Sequence, residues 1–158
     1  MRLRTAVCLI AALALAAITG CGGNGDDDGG REYTTKQVVD HFVAKGGAGL
    51  FKSENSRPAA DILRVPTDLQ SVFGGFEVYV FKPQGREKVL TELLGEDDPD
   101  ERGIYWGRDQ QGLHVAYTKY GSNVVVAWFA GEERTVDERW ERLHRVMSAL
   151  EAPDDAGE

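Results

Sequence analysis

Between Ile104 and Ala130 three β-rich runs follow one another with almost no chain between them. They are Ile104–Arg108, Leu113–Lys119 and Asn123–Ala130, separated only by Asp109–Gly112 and Tyr120–Ser122. Parallel neighbours need a crossover of about a dozen residues or more, so connections this short leave only antiparallel pairing. The runs are enriched in β-branched and aromatic side chains, and each connection carries a glycine. Any fold of this chain is therefore expected to contain a three-stranded antiparallel meander.

The remaining elements are arranged around that meander. Thr34 with Gln37 forms a capping box, Tyr33 and Val38 occupy the hydrophobic-staple positions, and Gly46 is the stop. The buried stripe of this first helix is read as Val38, Val39, Phe42 and Val43. A middle helix is expected over Arg86–Leu94, presenting Val89, Leu90, Leu93 and Leu94 before Gly95. In the last helix Thr135 and Glu138 read as a second capping box. There Val136, Trp140, Leu143, Met147 and Leu150 recur at spacings of four and three, and Pro153 forbids continuation. Phe76–Lys82 alternates as a strand with both faces partly covered. Residues 48–75 carry the weakest signal: a short strand near Leu50–Lys52, a loop through Pro58, and a turn or short helix after Pro66. The expected fold is α+β. A mostly antiparallel sheet of about four to five strands has its helices packed on one face and a helix at the C-terminus.

The first 21 residues read differently. Arg2 and Arg4 precede an apolar run from Ala6 to Ile18 that falls short of the ~20 residues a helical span requires. The run ends in Ile18-Thr19-Gly20-Cys21, which resembles the lipobox of bacterial lipoproteins: an aliphatic residue, two small ones and a cysteine. The resemblance implies that residues 1–20 are a signal peptide removed before Cys21. It further implies a thioether-linked diacylglycerol on Cys21 and an N-acyl chain such as palmitate. Two acyl chains hold a protein stably on a bilayer, where one does so only marginally. Cleavage and lipidation would consume both cysteines, Cys8 and Cys21, leaving no thiol for a disulfide or a thiolate metal site.

Charge divides the rest. Residues 21–30 form a Gly-rich tether with Asp26, Asp27 and Asp28, whose composition predicts a flexible chain. Residues 31–150 form the single domain, with 16 basic and 19 acidic side chains, and residues 151–158 are an acidic, solvated tail. The domain includes all 14 aromatic residues, enough for one real core, and nothing in it resembles the basic stripe of a nucleic-acid binder. The tethered, capped helix YTTKQVV is similar to the start of small lipoproteins of the outer-membrane barrel-assembly machinery. The similarity ends there, because in those proteins two helices precede three strands.

Motifs for chemistry are incomplete. Gly46–Ser53 nearly spells a phosphate-binding loop, but Phe51 stands where the second glycine must let the backbone wrap phosphate. Asp98, Asp100, Arg102, Gly103 and Asp109 loosely follow a calcium loop, with a cation in a ligand position. His41 and His144 lie on helices without a zinc motif around them, and Ser122 lacks a nucleophile elbow. No cofactor or metal is expected.

One surface is suggestive. With Phe76, Val78 and Val80 facing the helices, Glu77, Tyr79 and Phe81 face the other way; Tyr105 or Trp106 must point to that same second face, of which Tyr105 is taken for the site, and His114 is assigned to it as well. Aromatics beside a carboxylate and an imidazole suit an envelope protein, peptide or glycan. The reading is a lipid-anchored cell-envelope lipoprotein, on the cell membrane or outer membrane, acting as a non-enzymatic binding or assembly module. The alternatives are a small envelope hydrolase and an inhibitor or immunity-type protein. Cys21→Ser is expected to abolish lipidation and lipoprotein-type cleavage, checked by fractionation and intact-mass measurement. Unchanged maturation at the same bond, with retention in membranes, would contradict the lipobox.

Overall fold

The computed structural model describes residues 30–95 and 98–152. The expected signal sequence, Cys21, the expected tether up to residue 29, Glu96, Asp97 and the residues from Pro153 on lie outside the described residues. Among the described residues no helix is long and apolar enough to cross a membrane.

The meander is present as β4 (Tyr105–Arg108), β5 (His114–Tyr120) and β6 (Val124–Gly131), each antiparallel to the next. On its other side β6 pairs with β3 (Phe76–Phe81), which pairs with β2 (Ala60–Arg64), and β2 with β1 (Phe51–Lys52). The result is one antiparallel sheet of six strands in the order β1-β2-β3-β6-β5-β4. β6 lies in the middle, and its residues Val124–Trp128 are all buried. That is why this run shows no polar alternation.

β2 accounts for most of the difference from the four to five strands expected. Its sequence ADILR has four buried residues in succession, with a carboxylate among them. Burial on both faces removes the period-two pattern by which a strand is recognised. Asp61 is tolerated there because Thr35 Oγ1 donates to it at 2.7 Å, with Lys52 Nζ at 2.8 Å and Lys82 Nζ at 3.3 Å. Burial works against the charge, but Lys52, Thr35 and Lys82 outweigh it and hold the carboxyl at about 2.

The helices are α1 (Thr35–Gly46), α2 (Gln70–Phe73), α3 (Arg86–Leu94) and α4 (Glu138–Ser148). The Thr34–Gln37 capping box is formed, and the chain turns left-handed at Gly47, one residue beyond the expected stop. α4 is capped by Asp137 instead of Thr135: its carboxylate accepts from the N–H of Arg139 (2.8 Å) and of Trp140 (3.4 Å). The Thr135–Glu138 box therefore does not form, since the helix begins only at Glu138. Val43, expected in the stripe of α1, is 49% exposed.

Three helices, α1, α2 and α4, pack on the face of Val78, Val126 and Trp128, and Val38, Phe42, Phe73, Trp140, Leu143 and Met147 complete the core. Gly74 makes the end of α2 possible. Its φ is +74°, and a Cβ there would stand 2.6 Å from the indole nitrogen of Trp128, which donates to the carbonyl of Phe73. α3 lies on the opposite face, where Val89, Leu90, Leu93 and Leu94 cover Ala60, Phe81 and Val125. Helices thus occupy both faces, three on one and one on the other.

The start of the domain is tied to the sheet by one side chain. Asn123, 2% exposed, accepts from the N–H of Tyr33 at 2.8 Å and donates to the carbonyls of Tyr33 (2.7 Å) and Phe81 (3.1 Å). Asn123→Ala would remove three hydrogen bonds to buried backbone groups at once. It is expected to lower stability by about 3 kcal/mol, measured by urea unfolding. A loss below about 1 kcal/mol would show that water or local rearrangement replaces the amide.

Candidate functional site

Strand alternation sends Glu77, Tyr79 and Phe81 away from the three-helix core, as the pattern of β3 predicts. The strand register extends this into a transverse row across all six strands. Phe51 stands opposite Arg64, Arg64 opposite Glu77, Glu77 opposite Ala127, Ala127 opposite Tyr117, and Tyr117 opposite Tyr105. An aromatic ring ends the row on each side. Ala127, 2% exposed, is its small floor.

The centre of the row is polar and internally satisfied. Arg64 Nε donates to Glu77 Oε1 at 2.8 Å, and the Tyr79 hydroxyl donates to Glu77 Oε2 at 2.8 Å. Both carboxylate oxygens are therefore engaged, which fixes the rotamers of all three side chains. Tyr79 stacks on Phe81, with centroids 6.2 Å apart and planes 16° apart. Burial pushes the Tyr79 phenol well above its ordinary range, helped by the hydrogen bond to Glu77 and by that residue's charge. Tyr117 is raised in the same direction by burial, then by Asp109 and Glu77. The Tyr117 ring lies over Gly107, where a Cβ would meet it at 2.8 Å. Glycine on β4 is what lets this ring settle on the sheet.

α3 covers only part of this face. Its apolar residues pack on Ala60, Phe81 and Val125, the same cluster on which Tyr79 and Tyr117 pack, and the helix reaches β4. Beyond it Phe129, opposite Val115, is 43% exposed, and Phe51 is 51% exposed. Between α3 and the sheet a cavity of about 120 Å³ is lined by Arg57, Ile62, Tyr79, Glu92 and Leu93. Ligand pockets for drug-sized molecules run to ~300 Å³ and more, so this gap suits a few waters.

Of the residues predicted for the site, Glu77, Tyr79 and Tyr105 share the face, and His114 does not. His114 has the parity of Ala116, which belongs to the three-helix core, and its ring meets Trp106 edge-on at 6.3 Å. Ala116 stands opposite Trp106 on β4 and Trp128 on β6. Its small side chain makes room for two indoles, which places this side of β5 under the helices. Sequence reasoning missed Arg64, because β2 was not recognised. It also missed Phe51 and Phe129, whose signals were single apolar residues. For Tyr117 the signal was its alternation with His114, read with the wrong sign.

Elsewhere the chemistry is structural. Asp100 accepts from the N–H groups of Arg102 (2.9 Å) and Ile104 (3.1 Å) and from the Trp106 indole (3.2 Å). Burial opposes its charge, but these donors hold it at about 2, so the carboxylate organises its own loop. His41 donates Nε2–H to the Val146 carbonyl (2.7 Å) and joins α1 to α4. His144 is stacked on Trp140 (4.8 Å, 7°), with Nδ1 2.7 Å from the Tyr120 hydroxyl and Nε2 3.5 Å from Ser148 Oγ. Among the described residues no group of three or more His, Cys, Asp or Glu is arranged to hold a metal ion. No protein-family model matches the chain, and neither the curated proteins nor the solved structures contain a significant match.

The Tyr79 shift has a definite sign. A phenol raised above its unfolded value of 10.0 contributes stability that is complete below that pH and is lost as pH rises beyond it. Tyr79→Phe is therefore expected to leave the phenolate absorbance gained by the folded protein up to pH 11 unchanged. Loss of a full tyrosine's signal in that window would place the hydroxyl in solvent.

Proposed function

We propose that this chain is a lipid-anchored cell-envelope lipoprotein whose domain, on the extracytoplasmic side of the membrane, binds a partner protein through the open part of the second sheet face. The lipobox at Ile18–Cys21 supports the anchor. One observation carries the binding reading: the row Phe51–Arg64–Glu77–Ala127–Tyr117–Tyr105 on the second sheet face, with Phe51 at its edge and the neighbouring Phe129 exposed beyond α3. Exposed apolar rings around a fixed Arg–Glu–Tyr network match a protein interface, in which aromatic and arginine anchors dominate the energy. Phenylalanines without a polar handle favour a protein over a glycan. A hydrolase is disfavoured by the site itself, because the Glu77 carboxylate is held between Arg64 and Tyr79 and the imidazole of His114 points to the opposite face.

Photo-crosslinking in living cells tests the reading. A photoreactive amino acid at Phe129 is expected to trap one defined envelope protein, whereas the same group at exposed Val43 on α1 is not. Tyr105→Ala should weaken that contact about 30-fold, the equivalent of an aromatic anchor worth ~2 kcal/mol. Equal labelling from Phe129 and Val43, or none from Phe129, would remove the face from consideration.

A further inference from the structure

The path of the chain into the domain bears on how the domain stands on a membrane. Gly30 packs against the β5–β6 turn so closely that a Cβ there would lie 2.8 Å from the carbonyl carbon of Gly121. The N–H of Ser122 donates to the carbonyl of Arg31 at 3.0 Å, and Asn123 clamps Tyr33. The other end of the described chain is held at the same place. The Tyr33 hydroxyl donates to the carbonyl of Leu150 at 3.0 Å, and the N–H of Gly121 donates to Glu151 Oε1. The described chain therefore begins at the end where β5 finishes and β6 begins.

Strand register locates the two ends of the sheet. Tyr120, Val124 and Phe81 mark the end where the chain enters. Arg108, His114, Gly131 and Gly75 mark the other. From Val124 to Gly131, β6 rises about 24 Å at ~3.4 Å per residue. The Ala127 row stands about 10 Å above the entry end, and Phe129 about 17 Å above it. α3 starts at the entry end, since Arg86 closely follows Phe81, and it packs on Ala60, Phe81 and Val125 of the second face.

We infer that the entry end faces the lipid and that the open aromatic part of the sheet points away from it, toward a partner whose contacting surface lies within about 50 Å of the bilayer. This rests on the anchor proposed above. Nine residues separate Cys21 from Arg31, if Gly22 to Gly30 are counted, and whatever their conformation they span at most about 30 Å. Turning the domain over would lead the tether back along the whole ~24 Å of the sheet, using nearly all of that length. Upright, the tether has no such distance to cover, and the site reaches at most about 30 Å plus 17 Å from the lipid. Charge does not set the orientation. At the entry end Arg86 pairs with Glu32 (2.7 Å) and Lys88 with Glu92 (3.8 Å), and Lys82 (3.3 Å) shares Asp61 with Lys52 (2.8 Å), so carboxylates of the domain itself face these cations.

The test uses the full lipidated chain in vesicles of phosphatidylcholine containing a headgroup spin-labelled lipid. A single cysteine carries an environment-sensitive fluorophore, either as Gln84→Cys in the loop after β3 or as Gln111→Cys in the β4–β5 hairpin; both sites are exposed. Quenching is expected to be at least threefold greater at position 84 and unchanged in 1 M salt. Equal or reversed quenching, with the protein floating with the vesicles, would overturn the orientation while leaving the anchor intact. Electrostatic docking would be indicated instead if the difference vanished in salt, and that too overturns the proposal. If the chain does not float with vesicles, the anchor reading fails and the orientation falls with it.

Discussion

The amide of Asn123 is the contact on which the rest of the structure depends. It sits where β5 turns into β6, beside the end of β3, and takes up both backbone groups of Tyr33 and the carbonyl of Phe81. A buried amide has two donors and a carbonyl to satisfy, and here all three are matched by buried backbone groups. It acts as a substitute for strand pairing at a point where no strand continues. Once Tyr33 is fixed, its ring enters the core and its hydroxyl reaches Leu150, so the first and last segments of the domain are gathered at one end. With no disulfide among the described residues, that closure relies on hydrogen bonds and packing alone.

The sheet then separates two kinds of surface. On one side small residues make room for large ones: Ala116 stands between Trp106 and Trp128, and Gly74 lets Trp128 reach a backbone carbonyl. That side is filled by three helices and is unsuited to a partner. On the other side α3, nine residues long, packs on Ala60, Phe81 and Val125 and reaches β4, leaving Phe129 and Phe51 exposed. Beside it the Arg64–Glu77 ion pair and the Tyr79 phenol hold one another in fixed rotamers. Preorganised side chains lose little entropy when a partner arrives, which makes a rigid patch more useful for recognition than the same residues on a loop.

Much of the fold could be read from the chain alone, because its determinants are local. The loops of the meander are too short for any pairing but antiparallel. The Thr34–Gln37 box, the bounds of α3 at Arg86 and Leu94, and the stripe from Trp140 to Leu150 are all set by residues within one or two turns of each other. The direction of Glu77 and Tyr79 follows from the period of two once Phe76 and Val78 are placed in the core. The resemblance of Ile18–Cys21 to a lipobox likewise rests on contiguous residues, and proposing it needs no fold.

Other features depended on residues far apart in sequence. β2 is a strand because Asp61 meets Thr35, Lys52 and Lys82, three groups from three other segments that make a buried carboxylate tolerable. Alternation separates His114 from Val115 and Tyr117 but does not say which set faces the helices. That was decided by two tryptophans on neighbouring strands, which need the small side of β5 between them. Arg64, Glu77, Tyr117 and Tyr105 form one row only because non-consecutive strands are paired in a particular register. A sequence carries local propensity and period, and those settle which elements form. Which face is buried, and which side chains meet, is settled by volume and charge balance between distant segments, and these exist only when the chain is folded.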